Sequence, residues 1–585
     1  MLRSLPKFKY CGLTIIMSNQ SRFDITRLLS GNGGVMFGNF CLQPELNSMM
    51  CDVRLKDDKS PFLPNTKCLL LLGEPTMHHY LPETLKNSLH EMRGSLFYVN
   101  GIPAICSYLP QQAVDIFKDV EKQSNPLSDG YTPDDEVFTG GDEGEDEDEG
   151  DVKRHGRTKR TNYAFWLRRD TWKCKQILFS TSVWQRECER PKPIYKIFPH
   201  PKEVIEILRD TKDKDLLIDI ETDYEECNLQ CFSFSLDYRT VYSVPVLDYN
   251  YRIAFPEVPQ VLQALAIGIN RNTTVAHNGA CFDFLVFALK YHIPLGPSSY
   301  DTLIALHRCF PDLEKSLGHA TSYWTWEKFH KDEDSQGYRT NDQMVNRMKY
   351  CGKDVYTMGL IKQAVTEYAK TIPGLESSIN DAMACIRPYL ISTLNGIKVN
   401  RKLIDDKVKE NDALMFQYNR LIEYFVGEKA LGEIRGKKKL GMFAGSNPQC
   451  VKYFHDLLGY PVIARGKPSI VDGKRAPSLG KKALYRLALK HDNPVINLIC
   501  AYREVKKETT RLRFLPWIST EDMMRDSCQW TIGGTKSFRL GSRALFKKKR
   551  LLPNGEWKER GLGGNLANIE KSMREIYIAD GVPNE

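Results

Sequence analysis

A pair of acidic residues at the end of an apolar run constrains this chain more than any other feature of its sequence. Leu216–Ile218 predicts a buried strand, and Asp219 and Glu221 follow it with one residue between them. Side chains two apart on a strand point to the same face. Two carboxylates so close repel each other unless one is protonated or a cation lies between them, and their oxygens suit Mg2+ or Mn2+. The pair predicts a metal site, although the pattern alone is also typical of a strand end with solvated acids.

Two further motifs follow along the chain. Asp283 comes after a second strand-like run, Thr273–Ala276, at a predicted strand-to-helix junction. Tyr350 and Asp354 lie four residues apart on a helix predicted to begin near Asn341, so their side chains share one helical face. The ordered set Asp-x-Glu, Asn-x3-Phe-Asp and Tyr-x3-Asp resembles the three motifs of the DEDDy 3′–5′ exonucleases, whose best-known example is the proofreading domain of family A DNA polymerases.

This resemblance implies a fold, a cofactor and roles for the motif residues. A ribonuclease-H-like fold is expected over residues 194–372, with hydrolysis at DNA 3′ ends by two Mg2+ or Mn2+ ions about 4 Å apart. By the family pattern, one ion is held by Asp219, Glu221 and Asp354, and the other by Asp219 and Asp283. Tyr350 and Glu221 would orient the attacking water.

Neighbouring residues are expected to contact the DNA strand that is cut. Thr222 and Asn278 are the predicted contacts beside the carboxylates. Phe282 is either a neighbour of the terminal nucleotide or a packed core ring. Asp301 precedes an apolar helical run and is expected to cap that helix.

The N-terminal third of the chain gives weaker signals. Residues 1–66 remain unassigned, and residues 67–130 predict a small α/β module because two strand-like runs flank a helical stretch. The strand ends of this module resemble the uracil-DNA glycosylase superfamily, but Leu109 stands where that family has a histidine before proline. A leucine cannot donate a hydrogen bond to a departing uracil anion, so a degenerate glycosylase-like module without excision activity is expected, the alternative being an unrelated α/β domain.

Two segments of opposite charge separate this module from the nuclease region. Residues 131–155 are rich in Asp and Glu and predict a flexible linker, with a DNA-mimicking flap over a basic groove as the alternative. Residues 156–193 interleave Lys and Arg with aromatic residues, among them Trp166 and Lys173. Such an arm either binds single-stranded DNA or packs its rings onto the next domain while its cations stay solvated.

Residues 373–585 change character to long helices, and Asn400 is expected to cap the helix that follows it. The stretches Leu394–Asn400, Thr531–Arg543 and Asn565–Ile569 resemble motifs of the thumb and the start of the palm of family A polymerases. In that family a basic thumb tip and two later motifs contact primer–template DNA. The corresponding predicted DNA contacts are Lys437, Lys438, Lys439, Arg539 and Asn568. The palm and fingers motifs do not occur in the sequence, so polymerisation is expected only with a second polypeptide that carries them, or else the chain is a truncated product.

Composition sets the remaining bounds. The 585 residues carry a net charge of +9 and 16 cysteines without any Cys-x2-Cys pair, which indicates reduced thiols in a cytoplasm, bacterial or of a phage-infected host. No apolar stretch is long enough to span a bilayer. We therefore predict a multidomain α/β protein, the nuclease and mainly α thumb portion of a phage-like replicative polymerase. The alternatives are a standalone exonuclease and a non-catalytic DNA-binding accessory subunit.

Overall fold

A computed structural model gives the chain as two compact units, residues 1–390 with 530–541 and residues 391–529 with 542–585. Both combine helices with β-sheet. Among the described residues, no helix has the length and hydrophobicity needed to cross a bilayer, and the described cysteines form no disulfide. The residues that the structure describes are 11–17, 42, 51–110, 163–223, 227–333, 337–435, 443–468, 475–513, 518–519, 524–543, 547–551, 557–561, 566–569 and 571–579.

The first unit begins with a five-stranded sheet of order β2-β1-β3-β5-β4, in which only β4 is antiparallel to its neighbour. β1 and β3 are fully buried, and all their residues except Thr14 are apolar, as expected of strands covered on both faces. The sheet thus includes two strands from the segment that the sequence left unassigned. The elements are β1 (Leu13–Met17), β2 (Asp52–Leu55), β3 (Cys68–Leu72), α1 (Glu74–Tyr80), α2 (Leu89–Met92), β4 (Leu96–Val99) and β5 (Ile102–Ser107).

The described part of the basic arm forms two helices, α3 (Tyr163–Leu178) and α4 (Ser182–Glu189). Leu167 of α3 joins the core beneath the five-stranded sheet, and the Trp166 ring is also buried. Lys173 is 1% exposed, so this cation is not solvated. Residues 163–189 fit the interpretation in which the arm packs onto a neighbouring domain. They differ from it in one respect, because Lys173 is part of the packing and is not solvated. The acidic linker lies outside the described residues.

The second sheet of this unit has six strands in the order β11-β10-β7-β8-β9-β6. β7, β8 and β9 are antiparallel to their neighbours, while β10 and β11 run parallel to β7. All seven residues of β8 are buried, so the sheet is covered on both faces there. The strands are β6 (Ile194–Ile197), β7 (Asp215–Thr222), β8 (Leu229–Ser235), β9 (Thr240–Pro245), β10 (Thr273–Ala276) and β11 (Ser299–Asp301).

A 30-residue helix, Asn341–Lys370, lies close against this sheet because two of its glycines lack a side chain. A Cβ on Gly359 would lie 2.8 Å from Leu217 Cδ2, and one on Gly352 would lie 3.0 Å from Ser243 Oγ. The close approach brings the acid on this helix to β7. In chain order the helices are α5 (Pro201–Asp210), α6 (Val258–Arg271), α7 (Asp283–Tyr291), α8 (Thr302–Cys309), α9 (Leu317–Trp324), α10 (Asn341–Lys370) and α11 (Leu375–Ala384).

The first unit extends beyond the boundary that we predicted at residue 373. The Asp301 backbone N–H donates to Met383 Sδ of α11 at 3.1 Å. Residues 530–541 also join this unit, since His307 Nε2 lies 2.8 Å from the Thr535 carbonyl oxygen and the Phe538 ring packs on the His307 ring. These contacts link segments far apart in sequence, which local patterns do not reveal.

The second unit is built around two long helices, which contribute Ile422 and Ile499 to one core. A four-stranded sheet of order β15-β16-β12-β21 accompanies them. The Asn400 side chain accepts from Leu403 N at 3.0 Å, confirming its predicted capping of the following helix. In chain order the remaining elements are α12 (Ile386–Asn395), where the units divide, β12 (Ile397–Val399), α13 (Arg401–Val426), α14 (Glu428–Arg435), α15 (Asn447–Val451), β13 (Arg465–Pro468), β14 (Arg475–Pro477), α16 (Lys481–Ala488), α17 (Pro494–Leu512), β15 (Ile518–Ser519), β16 (Met524–Asp526), β17 (Gln529–Thr531), β18 (Gly541–Arg543), β19 (Lys547–Leu551), β20 (Trp557–Gly561) and β21 (Tyr577–Ile578). Of these, β17 and β18 lie at the two ends of the segment 530–541, which belongs to the first unit.

Candidate active site

Three of the predicted acidic residues converge at the end of β7. Asp219 and Glu221 share one face of the strand because side chains alternate along it, and α10 brings Asp354 against that face. One carboxylate oxygen from each residue lies within 4.8 Å of the others. Oxygens at these separations are close enough to bind one divalent cation.

Asp283, the fourth predicted acid, is the first residue of α7 and is 4% exposed. Its Oδ1 accepts a hydrogen bond from the backbone N–H of Ile220, between the two acids of β7, at 3.2 Å. Its oxygens are not part of the 4.8 Å set, but its charge acts on Asp219. The four predicted carboxylates therefore belong to one electrostatic site with Asp283 at its side.

Burial and mutual repulsion keep two of these acids from ionising easily. Burial, followed by the charges of Asp354, Asp283 and Glu221, raises the pKa of Asp219 well above its usual range. Burial likewise raises the pKa of Asp283 to about 8. A bound cation would reverse both shifts because it favours the charged forms.

The pKa of Asp354 shifts in the opposite direction, because His330 and Lys331 both contact its carboxylate. His330 Nε2 lies 2.7 Å from its Oδ1, and Lys331 forms an ion pair with its Oδ2. Burial opposes ionisation of Asp354, but Lys331 and His330 outweigh burial and lower its pKa. Lys331 Nζ also donates to the hydroxyl of Tyr350 at 2.8 Å, so one ammonium group links Tyr350 to the carboxylates.

Three residues of this site were not predicted from the sequence. Arg347 Nη1 donates to Glu221 Oε2 at 3.0 Å, and its position three residues before Tyr350 on α10 is a helical signal that could have revealed it. His330 and Lys331 precede α10 in a segment without regular structure, where no periodicity marks their role.

The loop after β10 is fixed by a buried carboxylate. Asp301 Oδ1 accepts from Asn278 N at 2.9 Å and from Leu303 N at 2.9 Å, and Oδ2 accepts from Ala280 N at 3.1 Å. Its predicted capping of α8 is confirmed, and it also orders the loop that precedes Asp283. Asn278 has a positive φ of 63°, which asparagine tolerates better than most residues.

The remaining predicted DNA contacts are only partly described. Thr222 ends β7 and Phe282 precedes α7, both partly buried. Arg539 is exposed, and its carbonyl oxygen accepts from Thr535 Oγ1 at 3.0 Å. The side chain of Asn568 and the residues Lys437, Lys438 and Lys439 lie outside the described residues. None of these positions carries more than a predicted role in DNA binding.

The donor set fits the metal that the resemblance implies. Asp219 Oδ2 is buried and makes no hydrogen bond to any described residue. A buried polar atom without a partner is unusual and points to a group that completes its coordination. Carboxylate oxygens are hard ligands, so Mg2+ or Mn2+ suits them.

At the N-terminal module, Leu109 packs into the core instead of facing a pocket. It is 8% exposed and belongs to the cluster beneath the sheet. Gly73, at the end of β3, has a φ of 87°, and a Cβ there would lie 3.2 Å from Leu109 Cγ. The leucine therefore fills the space beside the strand end with aliphatic carbon.

Comparisons with known proteins give little beyond this geometry. No protein-family model and no curated protein matches the chain. Among solved structures, the POL domain of Pol1 from M. smegmatis, in complex with a DNA primer-template and dNTP, is similar with a TM-score of 0.39 and 14% sequence identity. The match covers 59% of this chain and 54% of that chain, so this chain spans about half the length of that structure. A TM-score of this size does not establish a shared fold.

Proposed function

We propose that this chain is a two-metal 3′–5′ exonuclease acting on DNA. The observation that carries the proposal is the convergence of Asp219, Glu221 and Asp354 within 4.8 Å, with Tyr350 joined to the same set through Lys331. If these acids served only in a structural ion-pair network, each carboxylate would be paired with a basic side chain. Here Asp219 Oδ2 stays buried without a hydrogen bond to any described residue, as expected of a metal ligand.

The chain's own residues would divide the work of phosphodiester hydrolysis. Bound Mg2+ or Mn2+ would lower the pKa of a water molecule and stabilise the leaving 3′ oxygen. Asp219, Glu221, Asp283 and Asp354 would hold the ions. Tyr350, whose hydroxyl oxygen accepts from Lys331, would use its own O–H in a hydrogen bond that orients the attacking water or a phosphate oxygen.

Lys331 and Arg347 would add positive charge beside the acids. Arg347 holds Glu221 in place through its 3.0 Å contact, which restricts the rotamers of an acid that orients water. Lys331 contacts Asp354 and Tyr350, and beside a bound phosphate it would stabilise the negative charge that grows during in-line attack, as preorganised donors do. Neither Lys331 nor Arg347 belongs to the three sequence motifs on which the resemblance rests.

The finer assignment is a DEDDy proofreading nuclease of a phage-like family A DNA polymerase. Its support is the strand order, with three antiparallel strands followed by two parallel ones, which fits the expected ribonuclease-H-like layering. Long helices in the second unit fit a thumb that grips primer–template DNA. A second polypeptide carrying the palm and fingers stays a prediction from the sequence.

The test is digestion of a 5′-labelled single-stranded DNA by the purified chain with Mg2+ or Mn2+. We expect a ladder of products shortened from the 3′ end. Asp219→Asn and Asp354→Asn should each lower the rate by about a thousandfold because they remove ligands and charge from the reacting centre. Asp210→Asn, at an exposed residue of α5, is the matched control and should retain activity.

Two results would contradict the proposal. Full activity in the double variant Asp219→Asn/Asp354→Asn, or activity in excess EDTA, would exclude this site as the source of cleavage. DNA binding without any cleavage by the wild-type chain would favour the accessory-subunit interpretation. Tyr350→Phe should slow cleavage by about 10- to 100-fold while leaving Mn2+ affinity unchanged, because the tyrosine acts on a proton and not on the metal.

A further inference from the structure

A second cluster of metal-ligating side chains lies in the first unit, formed by residues that the proposed nuclease does not use. His90 of α2, Glu314 and His319 of α9 each offer one ligand atom, and these atoms lie within 4.8 Å of one another. His90 Nε2 is 2.9 Å from Glu314 Oε2, and His319 Nδ1 is 4.0 Å from the same oxygen. Ligand atoms around a tetrahedral zinc ion lie roughly 3.3 Å apart, as bond lengths of about 2.0–2.1 Å require, so small adjustments suffice.

A buried histidine completes the cluster. His319 is 6% exposed, and its Nδ1, the ring nitrogen 4.0 Å from Glu314 Oε2, makes no hydrogen bond within the described part of the chain. The ring packs edge-on to Trp166 at 4.3 Å between centroids. The Nδ1 atom is therefore available as a ligand beside Glu314.

The other two ligands are oriented by second partners. The Nδ1 atom of His90 lies 2.6 Å from the Tyr108 hydroxyl, which fixes the ring and directs Nε2 at Glu314. Glu314 Oε1 accepts from Ser316 Oγ at 3.1 Å, leaving Oε2 towards the two imidazoles. Such outer contacts are typical of metal-binding histidines and carboxylates.

The lysine beside the cluster is engaged elsewhere. Glu314 and His319 line a small cavity together with Trp166 and Lys315, whereas His90 is not part of its lining. Lys315 Nζ donates to the carbonyl oxygens of Pro311 and Leu313, both at 2.9 Å, so its ammonium group is directed at the backbone.

We propose that His90, Glu314 and His319 bind a Zn2+ ion that ties the N-terminal sheet region to the nuclease region. Two imidazoles and one carboxylate form a donor set that zinc uses in proteins, with a water molecule as the fourth ligand. His90 lies 224 residues before Glu314 in the sequence, so the ion would cross-link two parts of the first unit. This inference is independent of the proposed nuclease activity.

The test is zinc binding to the full chain in an Asp219→Asn background, which disables the acidic cluster as a competing site. After chelation and dialysis, we expect isothermal titration with Zn2+ and elemental analysis to give one zinc per chain. His90→Gln, His319→Gln and Glu314→Gln should each weaken binding at least about tenfold. His79→Gln, at an exposed histidine of α1, should leave binding unchanged. Zn2+ should also raise the Tm of the parent and of His79→Gln but not of the three ligand variants.

A separate control tests whether a ligand variant still folds. Glu314 is partly exposed, so Glu314→Gln should unfold at the Tm of the metal-free parent, and its loss of zinc then reports on ligation. Cobalt substitution should give a tetrahedral visible spectrum that disappears in the ligand variants. Absence of zinc from the parent, zinc binding that all three ligand variants retain, or iron in place of zinc would each overturn the proposal.

Discussion

Arg93 and Asp170 form a two-pronged ion pair in which both side chains are 0% exposed. Arg93 Nη2 donates to Oδ1 at 2.7 Å and Nε donates to Oδ2 at 3.0 Å, and Ser107 Oγ adds a third donor at 2.6 Å. The pair joins the N-terminal sheet region to α3. Nearby, the buried Lys173 donates to the carbonyl oxygens of Gly94, Ser322 and Thr325, so α3 is fixed on both sides by charge.

We predict that Asp170→Asn destabilises the first unit by about 3–5 kcal/mol, because it leaves the Arg93 guanidinium buried without its counter-charge. The measurement is the urea midpoint of unfolding. Asp213→Asn is the matched control, since Asp213 pairs with Lys212 at the surface, where such pairs contribute below about 1 kcal/mol. Equal midpoints for both variants would contradict the structural role of the buried pair.

Lys331→Met should tighten divalent-cation binding at the acidic site by about tenfold, since the lysine ammonium pairs with Asp354 and so competes with a cation for its carboxylate. Titration of the metal-free chain with Mn2+, followed by electron paramagnetic resonance, measures this directly. Lys349→Met removes an exposed lysine from the same region of α10 and controls for the loss of overall charge. Weaker Mn2+ binding in Lys331→Met would mean that this lysine supports the metal site instead of competing with it.

His277 predicts a pH dependence of stability. Burial, followed by the charge of Lys331, lowers its pKa from 6.5 to about 4, and its Nδ1 lies 2.8 Å from Thr302 Oγ1. Between these two pH values the unfolded chain binds a proton that the folded chain does not. The contribution of the neutral His277 ring to the free energy of unfolding is therefore fully present above pH 6.5 and is lost as the pH falls towards 4.

Unfolding free energies measured without metal from pH 7 to pH 4 test this expectation. The wild-type value should fall more steeply than that of His277→Gln, by up to about 3 kcal/mol across the range. His79→Gln should follow the wild-type curve because its ring is exposed. Parallel curves for wild type and His277→Gln would contradict the lowered pKa.

The chain should not excise uracil. Leu109 stands where the glycosylase resemblance would require a histidine, and its side chain packs against the strand end at Gly73. An aliphatic group cannot stabilise a departing uracil anion. Incubation with uracil-containing duplex DNA, followed by alkaline cleavage at abasic sites, should give no product above the background of a Leu109→Ala variant. Cleavage at uracil by the wild-type chain would refute the prediction.

The sequence alone predicted the local structure around the site. Apolar runs predicted β7 and β10, and the four-residue spacing put Tyr350 and Asp354 on one face of α10, because these are properties of single elements with fixed periods. The capping roles of Asp301 and Asn400 followed in the same way, since a cap needs only the first turn of its own helix.

Only the tertiary structure decided which residues from separate elements meet. His330 and Lys331 reach Asp354 from an irregular segment, and Arg93 meets Asp170 across 77 residues of sequence. The same holds for β1, which pairs with β3 across a long insertion, and for the cluster of His90, Glu314 and His319. Periodicity carries no information about such contacts, because they depend on how sheets and helices pack and not on the spacing of residues within any one of them.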